Sequence, residues 1–271
     1  IDFIGFSGQT VLHKPEKQLT IQLGSGNFLA KKLKIKVVSD FRKNDILKGG
    51  QGAPIGAYYN QYLSKKINKK AVFVNLGGVG NICYCNNNNI IAFDTGPANA
   101  LIDDFIWKKQ RKKFDKNGKL SLNGNLNKDI LNNILKDKYF KKKYPKSLDR
   151  QYFHKYLKSL KNLSTNDALH TLSMLTVCSI KKGLDLIDSK INLIILTGGG
   201  RKNLFFLKKL KEIIDLNVID IDSLGLNGDL IEAEAFAYLA IRSFKKLPIS
   251  NHGTTGVKKS ITGGILYTFN Q

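Results

Sequence analysis

The 271-residue sequence has few cysteines, few acidic residues and no long hydrophobic run. Its three cysteines, Cys83, Cys85 and Cys178, are too few for a disulfide scaffold, and the single C-x-C pair lacks the second pair that a zinc site needs. No apolar run approaches the roughly 20 residues needed to cross a bilayer, and the first residues show no signal-peptide pattern. These scarcities argue against secretion and membrane insertion, and they favour a reduced, cytoplasmic setting.

Acidic residues are also scarce relative to basic ones, at 21 against 44, which gives a formal net charge of +23. A strong positive field attracts polyanions. The lysines, however, are scattered through nearly every segment, without the arginine-rich stripe or aromatic-interleaved array typical of nucleic-acid binding. We therefore expect lysine on solvated faces, with no nucleic-acid and no membrane partner. A basic nucleic-acid-binding module is the alternative, which steeply salt-dependent DNA binding would identify.

Short apolar runs that end in glycine-rich turns recur along the chain, at 71–76, 90–93 and 193–196. Each is typical of a buried strand that delivers a loop to one edge of a sheet. Segments with helical spacing of apolar residues separate or follow them, at 100–107, 126–136, 167–187, 204–214 (with Asn203 as the cap) and 230–244. Strands that alternate with helices predict an α/β architecture, and the 42% hydrophobic content suffices for one or two cores.

Two other segments have a distinct character. Residues 1–6 are typical of a buried strand entering a functional loop, so we expect the sequence to begin within a domain. The polar, lysine-rich region 108–150 is interpreted as an insertion or an inter-lobe segment.

Three loops carry the residues that suggest chemistry. Glycines within 75–81 allow successive backbone N–H groups to face phosphate oxygens, although a purely structural turn is the alternative. Asp94 follows an apolar strand and precedes a helix, where it could accept a proton during phosphoryl transfer or simply cap the helix. The glycines at 198–200 could let an adenine or ribose lie against the backbone, or could form a tight turn. Three such loops at one sheet edge indicate the layout of a two-lobed ATP-dependent kinase.

Three motifs near the start of the sequence make a family resemblance specific. Residues 8–15 read GQTVLHKP, 39–45 read SDFRKND and 49–54 read GGQGAP. They resemble the HGQTVxHxP, GDFRxxD and GGQGAP motifs of anhydro-N-acetylmuramic acid kinases. Further matches follow in the family's order, at 75–81, 94–97, 145–147, 198–200 with Asn203, and 228–233. The resemblance therefore covers the whole chain.

The resemblance implies a fold, a reaction and cofactors. The fold is the two-lobed actin/hexokinase-like (ribonuclease H-like) one of the sugar kinase, Hsp70 and actin superfamily. The reaction uses ATP and water to convert 1,6-anhydro-N-acetylmuramic acid to N-acetylmuramic acid 6-phosphate in cell-wall recycling and amino sugar catabolism. Mg²⁺ is expected to bridge the ATP phosphates, and a homodimer is expected.

The resemblance also implies roles for particular residues. Asp94 is the expected catalytic base, which would deprotonate the attacking water. Arg42 is expected to orient a substrate carboxylate or sugar oxygen, with an ion pair to Asp40 or Asp45 as the alternative. The expected substrate-binding residues are Gln9, Thr10, Arg42, Thr95 and Gly96. The expected nucleotide-binding residues are Gly77, Gly78, Asn81, Gly198, Gly199, Gly200, Asn203 and Glu232, and the metal ligands are left open. A plain helix-start carboxylate is the alternative for Glu232.

The sequence departs from the family pattern at four points. The family's opening GTSxDG-type phosphate loop has no counterpart in this sequence. Ser7 replaces a histidine, Ala98 a glycine and Leu230 an acidic residue. We therefore expect an incomplete N-terminal lobe, within 1–93 together with the start of the second lobe, and a C-terminal lobe with the nucleotide loops at 94–271.

On the same grounds we expect the 271-residue chain by itself to be inactive or severely impaired and its full-length parent to be active. An actin- or Hsp70-like ATPase, which uses nucleotide to change shape, is the alternative function. Such an ATPase would not need the motifs at 8–15, 39–45 and 49–54.

Overall fold

The computed structural model describes residues 1–86 and 89–270 of the chain. Within these residues the strands are β1 (Phe3–Gly5), β2 (Gln9–Lys14), β3 (Leu19–Leu23), β4 (Lys36–Ser39), β5 (Ala71–Leu76), β6 (Val79–Asn86), β7 (Asn89–Pro97), β8 (Leu193–Thr197), β9 (Asn217–Asp220) and β10 (Ile265–Tyr267). The α-helices are α1 (Gly26–Leu33), α2 (Lys43–Leu47), α3 (Ala57–Lys66), α4 (Asn99–Gln110), α5 (Lys119–Leu122), α6 (Lys128–Leu135), α7 (Thr165–Leu184), α8 (Leu204–Ile213), α9 (Ile231–Phe244) and α10 (His252–Thr255). This alternation confirms the predicted α/β class.

The largest sheet has five strands in the order β7-β6-β5-β8-β9. The pairs β5–β6 and β6–β7 are antiparallel, whereas β8 pairs in parallel with both β5 and β9. This order and these directions are those of a ribonuclease H-like sheet, as the family resemblance implied. Strands β5 and β8 are buried along almost their whole length, which explains why both read as continuous apolar runs.

Helices cover both faces of this sheet. The sheet separates two hydrophobic cores, because alternate residues of β5 point to opposite faces. Val72 and Val74 belong to a core with α4, α6, α7 and α8, and Phe73 belongs to a second core with α3 and α9. The region 108–150, expected to be an insertion or inter-lobe segment, contributes Leu131 and Ile134 of α6 to the first core. It is therefore an integral part of the packing around α7.

A second sheet joins both ends of the chain. Strand β4 pairs in parallel with β1 and antiparallel with β10, while β2 and β3 form a separate hairpin. The strand predicted within 1–6 is present as β1, but its residues are only half-buried, so the expectation of a buried strand was wrong. The expected division into lobes near residue 93 stays a prediction.

The predicted helices are present, with ends that differ by a few residues. Helix α8 begins after Asn203, whose side-chain Oδ1 accepts a hydrogen bond from Phe205 N at 3.0 Å, so the predicted cap is confirmed. Among residues 1–86 and 89–270, no helix has the length and apolar character that crossing a membrane requires.

Candidate active site

Asp94 lies inside β7 at a β-bulge, and not beyond the end of the strand as the sequence suggested. Asn81 of β6 faces Asp94 and Gly80 faces Gly96, so Thr95 is the extra residue of the bulge. The Thr95 hydroxyl donates to the Gly80 carbonyl at 3.0 Å, which fixes the distortion. A bulge changes the direction of the side chains beside it, and here the carboxylate of Asp94 lines a cavity.

Backbone groups from a distant segment hold Asp94 in place. Its N–H donates to the Lys146 carbonyl at 3.0 Å, and its Oδ2 accepts from the N–H of Leu148 at 2.8 Å. The Tyr139 hydroxyl donates to the Asp94 carbonyl at 2.6 Å. Hydrogen bonds therefore hold both the main chain and the side chain of Asp94.

Burial gives this carboxyl group an unusual proton affinity. Asp94 is only 6% exposed, and loss of solvent raises its pKa from 3.8 to about 7. The Leu148 N–H and the positive charges of Arg42 and Lys146 oppose this rise, but they do not cancel it. A carboxyl group with a pKa near neutrality can both take up and release a proton at physiological pH.

Lys146 is a buried residue whose positive charge acts on Asp94. The residue is 5% exposed, and its Nζ lies 4.8 Å from the ring centroid of Tyr139 and 5.6 Å from that of Phe93. Burial lowers the pKa of its ammonium group to about 8, while the charge of Asp94 acts in the opposite direction. The motif at 145–147 drew attention to this residue, but the sequence alone assigned it no role.

A cavity of about 780 Å³ lies where β2, the 148–151 segment, the 197–201 turn and the start of α9 meet. It brings together seven of the predicted site residues, which are Thr10, Arg42, Asn81, Asp94, Gly198, Gly199 and Glu232. It also places there charged or polar side chains to which the sequence assigned no role. Three of them lie within the family motifs, which are His13, Asn75 and Asp229, and three lie outside, which are Asp149, Arg150 and Arg201.

Arg42 is attached to the 49–54 motif. Its Nη1 donates to the Gly52 carbonyl at 2.6 Å, and the buried Asp45 accepts from Gly52 N at 2.6 Å. In the part of the chain that the structure describes, neither Asp40 nor Asp45 forms an ion pair with Arg42. Asp40 pairs with Lys43 at 2.8 Å, and Asp45 Oδ2 accepts from the Thr255 hydroxyl at 2.6 Å. Burial lowers the pKa of Arg42, and the charges of Asp94, Glu232 and Asp45 oppose that effect. Arg42 is among the residues that line the cavity.

The triple-glycine turn shows why two of its members need glycine. Gly198 has φ of +74°, and a Cβ there would lie 2.3 Å from Asn75 Oδ1. A Cβ at Gly200 would lie 2.6 Å from the Cβ of Leu76, so this peptide packs directly on β5. Gly199 has open space around it and faces the cavity.

Other predicted residues do not line the cavity, as far as the described part of the chain shows. The carbonyls of Gly77 and Gly78 accept N–H groups at the start of α4, from Asn99 at 3.1 Å and from Ala100 at 3.1 Å. These glycines therefore cap a helix, the structural alternative for that turn. The remaining members are Gln9, exposed on β2; Thr95 and Gly96, buried in the bulge; Gly200, buried against β5; and Asn203, the cap of α8. Their binding roles stay predictions.

The ribonuclease H-like sheet, with a buried carboxylate and a glycine turn on one cavity, defines a protein of the sugar kinase, Hsp70 and actin superfamily. The sequence model of the anhydro-N-acetylmuramic acid kinase family matches residues 1–269. The chain belongs to this family.

Curated relatives with the same name have similar sequences. The anhydro-N-acetylmuramic acid kinase of Rhodopseudomonas palustris (strain HaA2) is 40% identical over 270 residues, which cover 98% of this chain and 73% of the relative. That of Zymomonas mobilis is 39% identical over 269 residues, with the same coverage of 98% and 73%.

Among solved structures, the activator of the 2-hydroxyisocaproyl-CoA dehydratase from Clostridium difficile with bound ADPNP gives a TM-score of 0.45 at 13% identity. The alignment covers 72% of this chain and 70% of that chain.

Proposed function

We propose that this protein transfers the γ-phosphoryl group of ATP to O6 of 1,6-anhydro-N-acetylmuramic acid while water opens the anhydro ring. The product is N-acetylmuramic acid 6-phosphate, formed in the recycling of peptidoglycan. The observation that carries the proposal is the buried carboxyl of Asp94, whose pKa is about 7, on the same cavity as Arg42 and the 198–199 glycines.

Asp94 acts as the general base. Its carboxylate takes a proton from water as the water oxygen forms a bond to the anomeric carbon. The bond from that carbon to O6 breaks, and its electron pair goes to O6 as O6 forms a bond to the γ-phosphorus. The bond between this phosphorus and the bridging oxygen breaks, and ADP leaves with that electron pair. Because the phosphoryl group captures O6, no separate general acid is needed.

Arg42 orients the sugar. A guanidinium can make two parallel hydrogen bonds to a carboxylate, and the lactyl group of the substrate carries one. Thr10 lines the same cavity and offers a hydroxyl to a sugar oxygen, with Gln9 beside it on β2. The contact of Arg42 with the Gly52 carbonyl at 2.6 Å limits its movement and therefore favours a defined sugar position.

The nucleotide occupies the other part of the cavity. The open backbone at Gly199 provides a flat surface for the adenosine part, and Asn81 and Glu232 lie near the phosphates. Mg²⁺ usually binds one or two carboxylates together with phosphate oxygens, and it neutralises charge on the phosphates when bound. Glu232 is a cavity-lining carboxylate that would hold it. No group of three or more His, Cys, Asp or Glu suited to a metal occurs in residues 1–86 and 89–270.

The reaction also suggests where in the cell the protein acts. ATP and recycled cell-wall sugars meet in the cytoplasm, and Cys83, Cys85 and Cys178 are all unpaired thiols. We extend the proposal to a cytoplasmic homodimer.

The test is formation of ADP in the presence of 1,6-anhydro-N-acetylmuramic acid, with the sugar phosphate identified by mass spectrometry. It is run with this chain and with the chain preceded by the N-terminal segment of the Rhodopseudomonas palustris relative. In the extended chain we expect sugar-dependent ADP formation that Asp94→Asn lowers at least about 1,000-fold, with ATP affinity within about twofold of that of the extended chain without the substitution. ADP formation at the same rate with and without the sugar would favour an actin- or Hsp70-like ATPase. Substantial turnover by the Asp94→Asn variant would show that Asp94 is not the general base.

A further inference from the structure

Arg201 directly follows the triple-glycine turn and is almost completely buried. Its side chain is 2% exposed, although it lines the cavity. Burying a guanidinium is costly unless its donors are paired. The sequence contained no motif that marked this residue, and the proposed mechanism does not use it.

The groups that accept hydrogen bonds from Arg201 lie in three segments of the chain. Nε donates to Asp222 Oδ2 at 2.8 Å and lies 3.4 Å from Asp220 Oδ1. Asp220 is the last residue of β9, and Asp222 follows two residues later. Nη2 donates to Asp229 Oδ1 at 2.9 Å. Nη1 donates to the carbonyl of Gly198 at 3.2 Å. One side chain therefore connects the glycine turn with the segment that leads into α9.

The surrounding backbone is adapted to this guanidinium. A Cβ at Gly228 would lie 2.2 Å from Arg201 Nε, so any other residue there would displace the side chain. The N–H of Gly228 donates to Asp222 Oδ1 at 2.7 Å, so the carboxylate of Asp222 binds both Arg201 and the 228 peptide. Asp229 is two residues before α9, whose first turn carries Glu232.

We propose that Arg201 is a positioning residue for the nucleotide. Its planar fork fixes the distance between the 198–199 backbone and the start of α9, which are two sides of the proposed ATP site. This inference rests on the proposed function, because it places ATP against those two segments. A lysine would keep the positive charge but could not bond Asp222, Asp229 and the Gly198 carbonyl at once.

The test is calorimetric titration of MgATP and, separately, of 1,6-anhydro-N-acetylmuramic acid into wild-type and variant protein. We expect Arg201→Met to weaken ATP binding at least tenfold and to leave sugar binding within twofold of wild type. Arg201→Lys is expected to remain at least fivefold weaker for ATP. The matched control is Lys202→Met, since Lys202 also pairs with Asp229, at 2.6 Å, but is 57% exposed. It is expected to bind both ligands within twofold of wild type.

Several results would overturn the inference. They are unchanged ATP affinity in Arg201→Met, full recovery of affinity in Arg201→Lys, and equal weakening of both ligands. If the methionine variant does not fold, Asp229→Asn removes one arm of the network, and it should still weaken ATP selectively. A wild-type protein that binds no ATP would overturn the proposed function and this inference together, whereas ATP binding that is insensitive to Arg201 would overturn this inference alone.

Discussion

The buried carboxylate of Asp94 should make the folded protein less stable than it could be, and the penalty should depend on pH. The folded pKa of about 7 lies above the ordinary value of 3.8, because burial disfavours the charged form. Folded protein therefore binds a proton more tightly than unfolded protein between these two pH values. The free energy of unfolding therefore falls as pH rises from about 4 to about 7. Above about pH 7 the penalty from this group is constant.

The size of the penalty follows from the two pKa values. A rise from 3.8 to about 7 corresponds to about 4 kcal/mol of unfolding free energy. Asp94→Asn removes the charge and keeps an oxygen that can accept from Leu148 N. We expect the variant to be as stable as wild type near pH 4 and more stable by up to about 4 kcal/mol at pH 8.

Urea unfolding measured between pH 4 and pH 8.5 checks this prediction. The stability difference should grow by about 1.4 kcal/mol for each pH unit until it levels off near pH 7. Asp149→Asn is the matched control, because Asp149 also lines the cavity but is only half-buried and caps Gln151 N at 2.7 Å. Because this variant keeps Asp94, its stability should fall with rising pH in the same way as that of wild type. An Asp94→Asn variant whose advantage is independent of pH, or which is less stable than wild type at pH 8, would refute the reasoning.

Two further predictions concern the surroundings of this carboxylate and the glycine turn. Lys146→Met removes a charge that lowers the pKa of Asp94, so the acid limb of kcat/KM should move to higher pH by about one unit. Lys142→Met should leave that limb unchanged, and an unshifted limb in the Lys146 variant would contradict the role of its ammonium group. Gly198→Ala, at φ of +74°, should cost about 1–3 kcal/mol in urea unfolding. Gly199→Ala, which has open space, should cost less than about 0.5 kcal/mol, and equal costs would disprove the argument from backbone strain.

The sequence by itself determined several central elements of this protein, and its family. The continuous apolar runs of β5 and β8 predicted buried central strands, since both faces of these strands are covered. Asn203 marked the start of α8, because a cap depends on residues that are close in the chain. The ordered motifs identified the family, and the same motifs selected Asp94, Arg42 and the 198–199 glycines, which the cavity brings together.

Only the tertiary structure decided how these elements become a site. The bulge at Thr95 depends on register between β6 and β7, which residue spacing does not encode. The group that fixes the Asp94 carboxylate, Leu148 N, is 54 residues away in sequence. Carbonyls of Gly77 and Gly78 are used by α4, and Arg201 finds its carboxylate partners up to 28 residues further on. Local propensity acts over a few residues, whereas the burial and charge that set the chemistry of a site come from segments that meet only when the chain has folded.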